Sequence, residues 1–120
     1  MPNPIALKPI DLDELVEDMK AAATSVLDKD VTTLRGFSER QVKAIAQQAQ
    51  LVATGIASGQ ITEETREFFL NSLEDMTLNF AKTLRGLLMV TIEKVWNAVV
   101  GVIWKAIDAA TGIGLSAATP

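Results

Sequence analysis

Between Leu87 and Ala110 the polar residues fall on one narrow line. Glu93, Lys94, Asn97, Gly101, Lys105 and Asp108 recur at helical spacing, so a helix turning about 100° per residue gathers them on one side. The opposite face carries Leu88, Ile92, Val95, Val99, Ile103 and Ala106, flanked by Met89, Trp96, Val102 and Ile107. A surface helix of a small globular protein usually buries a narrower apolar arc than this. The segment therefore needs cover: other helices of the chain, further copies of it, or a lipid-like surface.

Composition removes most chemistries that could use such a helix. The 120 residues include no His, no Cys and no Tyr. Disulfides and thiol nucleophiles are excluded, and the commonest metal ligand and general base near neutral pH are missing. Carboxylates cluster at Glu14/Glu17/Asp18, Glu63/Glu64/Glu67 and Glu74/Asp75. Without the Glu-x-x-His elements of di-iron bundles, they read as solvated helix faces. No Gly-rich phosphate loop or EF-hand spacing occurs. No catalytic, cofactor-binding or metal-ligating residue is expected, and no enzymatic activity. Nucleic acid is not an expected partner: the net charge is −4, and the eleven bases form no dense stripe. The charge is uneven, net −6 over residues 1–75 and +2 over 76–120.

Apolar residues make up 48% of the chain, mostly Ala, Leu, Val and Ile, with six aromatics, and the mean hydropathy is +0.23. That suits helices packed on helices. The first residues, MPNPIALKPIDLDE, lack the positive and apolar regions of a secretory signal. Residues 87–107 have the length of a membrane span. However, Glu93, Lys94 and Lys105 lie inside it, each costing about 2.5–3.5 kcal/mol near a bilayer centre. A spanning helix is not expected. The expected setting is the cytoplasm or a particle, or the periphery of a membrane.

Pro2, Pro4 and Pro9 make residues 1–10 an extended arm. A first helix is predicted from about Leu12 to Asp28, with Asp11 as N-cap and Glu14 completing a partial capping box. Residues 29–37 interrupt the pattern. A second helix starts at Ser38, with Gln41 as the capping-box partner and Phe37 and Val42 as a hydrophobic staple. Its buried face is rich in Ala, and Gly59 suits its end. A third starts after the N-cap Thr62, and Phe69, Leu73, Met76, Phe80, Leu84 and Leu87 form a heptad-like seam along it. Gly86 alone costs a helix only about 1 kcal/mol against Ala. The third and fourth segments therefore read as one rod from Thr62 to about Thr111, roughly 75 Å long at 1.5 Å per residue, or one bent at Gly86. Gly112 and Gly114 stop it, leaving residues 112–120 as a tail. One echo stands out: Thr33-Leu34-Arg35-Gly36 recurs fifty residues later as Thr83-Leu84-Arg85-Gly86, with apolar matches on either side.

The expected fold is a single all-α domain over residues 11–111, three to four helices, in which a helical hairpin packs on a long C-terminal helix, straight or kinked. The expected function is structural: a self-assembling helical subunit of a larger homo-oligomer, of which a phage or virion-type particle is one setting. Its contacts would come from Phe69, Leu73, Met76, Phe80 and Leu84 on the seam, and from Leu88, Ile92, Val95, Trp96, Val99, Ile103 and Trp104 on the arc. The stripe from Glu93 to Asp108 would face water or a lumen. The alternatives are a peripheral coat protein for a membrane, lipid or apolar-granule surface, and a small monomeric adaptor or regulator. A tryptophan fluorescence shift on adding liposomes would mark the lipid alternative.

Overall fold

Four helices form in chain order, each begun or ended by a local signal. The computed structural model describes residues 8–115; the outer parts of the arm and of the tail lie outside the described residues. Helix α1 spans Leu12–Leu27, and Asp11 Oδ1 accepts the Glu14 N–H at 3.0 Å. The reciprocal half of that box is not made; the Glu14 carboxylate lies 3.6 Å from Lys8 Nζ instead. Asp28 ends the helix in the left-handed region. A short 3-10 turn, Val31–Thr33, follows, with the Asp30 carboxylate bonded to the Thr32 N–H and hydroxyl.

Helix α2, Glu39–Ala57, starts on the Ser38 cap, whose Oγ accepts the Gln41 N–H at 3.1 Å. The Gln41 side chain accepts a bond from the Thr83 hydroxyl instead of closing a box. Phe37 packs edge-on against Phe80, so the expected staple residue ties α2 to α3. Helix α3, Glu63–Thr83, carries a true capping box between Thr62 and Thr65. Helix α4, Met89–Thr111, ends at Gly112, whose N–H reaches Asp108 O.

The rod expected from Thr62 to Thr111 does not form. The chain leaves α3 at Leu84, which is extended, turns at Gly86 with φ +79°, and re-enters a helix only at Met89. Antiparallel return wins because it buries Val95, Val99, Ile103 and Ile107, each 1% exposed or less. At about 1.5–3 kcal/mol per fully buried side chain, that gain far exceeds the few backbone bonds lost in the turn. Trp96 Nε1 donates to Glu74 O at 3.1 Å across the α3–α4 pair. Helix α4 packs against α1, α2 and α3, while α2 also packs against α1 and α3. This is a four-helix bundle with short connections and α4 at its centre. The Ala-rich face of α2, with Ala46, Ala49 and Ala53 all buried, admits the larger α4 side chains closely. At the far end, Lys8 N–H donates to Ala109 O and Gln50 Nε2 to Ile10 O. The described end of the arm is therefore laid on its own bundle.

The fifty-residue echo is structural. Leu34 (φ −75°, ψ 142°) and Leu84 (φ −69°, ψ 134°) both follow a last helical turn, and each N–H returns to the carbonyl three residues back. Gly36 and Gly86 are both left-handed, at φ +88° and +79°. Ser38 and Leu88 then occupy the N-cap positions of α2 and α4. Buried residues also correspond: Ala23/Leu73, Leu27/Thr77, Val31/Ala81, Val42/Ile92, Ile45/Val95, Ala49/Val99 and Ala53/Ile103. The bundle is a tandem of two helix–turn–helix units, and the two turns touch: Arg85 N–H donates to Arg35 O at 2.8 Å.

Candidate binding surface at the turn between α3 and α4

The residues proposed from sequence as intermolecular contacts divide sharply. Leu73, Phe80, Leu84, Ile92, Val95, Val99, Ile103 and Trp104 are buried within the one chain. Phe69, Met76 and Trp96 are half-buried against the same core. Of that set only Leu88 stands outside, 75% exposed. The wide arc of α4 has found its cover in α1, α2 and α3. The polar stripe does face outward: Glu93, Lys94, Asn97 and Lys105 are exposed, and Gly101 and Asp108 partly so. Both tryptophans pack inward instead of marking the edge of a lipid-facing surface.

A consecutive run of exposed apolar residues lies at the turn. Leu88, Met89 and Val90 are consecutive and 75%, 58% and 55% exposed. Periodicity places Leu88 and Met89 on the buried arc, but they lie at the helix start, beyond the cover of the neighbouring helices. The start itself breaks a local rule: Leu88 is the N-cap, where Ser, Thr, Asp or Asn is favoured, and it makes no side-chain cap bond. Three consecutive exposed apolar residues at an uncapped helix start lower both solubility and stability unless they meet something.

Basic residues lie near this tip in the chain. Arg85 precedes it, and the backbone bond to Arg35 brings the first turn alongside. Residues 28–40 and 82–94, which build this end, carry a net +2 in a chain of net −4. Among the described residues the ion pairs fall on Lys8 and Lys20 only, so Arg35, Lys82, Arg85 and Lys94 make no ion pair there. The acids of this end are partly engaged. Lys20 holds Glu39 and Glu17, each at 2.9 Å, and bonds to Glu17 and then Glu39 raise its pKa. Thr32 holds Asp30, and its backbone and hydroxyl bonds lower that carboxyl's pKa.

Elsewhere the surface is less distinctive. An open groove of about 510 Å³ runs between α1 and α4 over Leu15, Ala22, Val102 and Ala106, rimmed by Asp18 and Lys105. Phe68 and Leu51 project singly from α3 and α2. Among the described residues no three acids converge as metal ligands, and no helix is long and apolar enough to cross a membrane. Comparison with known proteins gives no match: no family model, no curated protein and no solved structure resembles the chain significantly.

Proposed function

We propose that this chain is a non-enzymatic protein that attaches peripherally to an anionic lipid or lipid-coated surface through the α3–α4 turn. The observation that carries this reading is the run Leu88-Met89-Val90, exposed at a helix start that gives up its cap. An apolar tip a few residues long, with Arg85 before it and Lys94 after it in the chain, suits the boundary between headgroups and acyl chains. Each nearby base adds about 1 kcal/mol of attraction to an anionic leaflet. Flotation of the chain with phosphatidylglycerol vesicles, against phosphatidylcholine alone, tests it. Salt-sensitive binding to the anionic vesicles is expected; no binding to either would overturn it.

Self-association is the second reading, now resting on different residues from those expected. Phe68, Leu51 and the α1–α4 groove leave apolar surface outside the core, on which copies could assemble into a larger structure. Molar mass by light scattering without detergent tests it: a discrete multimer supports this reading, and a 12.9 kDa species removes it.

A further inference from the structure

We propose that Arg35 and Arg85 together bind the phosphate group of an anionic lipid, at a site made where the two TLRG turns meet. The inference rests on the surface-attachment reading above and names the chemistry it recognises.

The two arginines occupy equivalent positions fifty residues apart and are joined through their backbones, Arg85 N–H to Arg35 O at 2.8 Å. Gly36 lies between them. A Cβ placed there would stand 1.9 Å from Thr83 O and 3.3 Å from Arg85 Cγ. The aliphatic stem of Arg85 thus lies across a residue that must be bare, directly beside Arg35. Both residues are exposed, and among the described residues neither has a carboxylate within ion-pair distance. Two arginines rooted at hydrogen-bonded backbone sites can bring both guanidinium groups to one anion, and the planar forks match phosphate oxygens in pairs.

The order along the chain selects a lipid phosphate over a free one. Arg85 is followed by Gly86, half-buried Leu87, and then exposed Leu88, Met89 and Val90. A phospholipid has the same order, phosphate outside and hydrocarbon inside. When the tip enters the acyl boundary, the arginine pair stays at headgroup level.

The test uses the full chain and vesicles of phosphatidylcholine with or without phosphatidic acid. Three double variants are compared, with circular dichroism confirming that each is folded. Arg35→Gln/Arg85→Gln should weaken binding by more than the roughly 30-fold that loss of two diffusely acting bases costs at an anionic surface. Arg35→Lys/Arg85→Lys keeps the charge but removes the forks, and should still bind several-fold more weakly. Lys29→Gln/Lys82→Gln removes equal charge from the same end and should cost less than the arginine pair. Inorganic phosphate at matched ionic strength should not release the bound chain. If the lysine exchange binds like wild type, or the Lys29/Lys82 variant loses as much as the arginine pair, only diffuse charge is at work and the site is refuted. Release by inorganic phosphate would refute the lipid as source. A wild-type chain that ignores all vesicles would overturn the attachment reading itself.

Discussion

Leu88→Asp should make the protein more stable and a poorer surface binder at once. Leu88 has the extended backbone of an N-cap (φ −71°, ψ 153°), is 75% exposed, and offers no acceptor to the first turn of α4. An aspartate there accepts an orphan N–H, a change worth about 1 kcal/mol, and its charge complements the helix dipole by a further ~0.3–1 kcal/mol. Little packing is lost, because little of the leucine is packed. With an unfolding entropy of about 2.1 cal/mol/K per residue, 1 kcal/mol raises the midpoint of a 120-residue chain by about 4 °C. On the vesicle, the substitution forfeits about 1.5–3 kcal/mol of leucine burial and sets a negative charge against a negative surface. Binding should fall at least tenfold. Thermal melts and flotation read the two effects separately, and Leu88→Ser supplies the cap without the charge. A drop in melting temperature for both variants would show that Leu88 supports the fold, and the argument from its misplaced chemistry would collapse.

Other expectations follow from the packing. Val99→Asp puts an unpaired charge at a position with no solvent exposure, so it should unfold the chain, at a cost of 4 kcal/mol or more; loss of helical circular dichroism checks this. Gly36→Ala must clear the Thr83 carbonyl as well as hold a positive φ, whereas Gly86→Ala meets open space. The first should cost clearly more than the second, for which about 1 kcal/mol is expected, and urea midpoints will rank them. Trp104 is buried and Trp96 half-buried against the core, so the emission shift expected of a lipid binder from the sequence should not accompany vesicle binding. Lys20 gains its partners on folding and its pKa is raised. Its contribution is therefore complete below the unfolded value near 10.4 and fades as pH climbs through the folded value. Amide exchange at the α1–α2 contact should quicken in that alkaline range.

Much of this bundle is legible in the sequence because its helix starts are chemical. Asp11, Ser38 and Thr62 announce α1, α2 and α3 by side-chain acceptors that the structure uses. The start of α4 has no such signal, and the apolar spacing runs on through Leu84, Leu87 and Leu88 as though one helix continued. The usable clue was the repeated TLRG. Gly36 is readily seen as a break because Thr32 and Thr33 precede it and the Ser38 cap follows, and the same four residues at Gly86 make the same turn. Periodicity reports which side of a helix is apolar but not how far the neighbouring helices extend. It therefore gave Leu88 and Ile92 the same role, although Ile92 is 8% exposed and Leu88 75%. The pairing of Arg35 with Arg85 depends on two turns meeting in space, and no local pattern encodes that.

Helix α4, which packs against the three others, is also the one the ribosome delivers after them. While α4 is still in the exit tunnel, α1 to α3 have emerged with Ala46, Ala49, Ala53 and Leu73 facing an unfilled centre. Such an intermediate exposes apolar surface until α4 has emerged, and elongation at about 5–20 residues per second sets that delay at seconds. The nascent chain should therefore attract holding factors until about residue 107 clears the tunnel. A stalled product ending near Gly86 should be cleared by proteolysis instead of persisting as a folded hairpin.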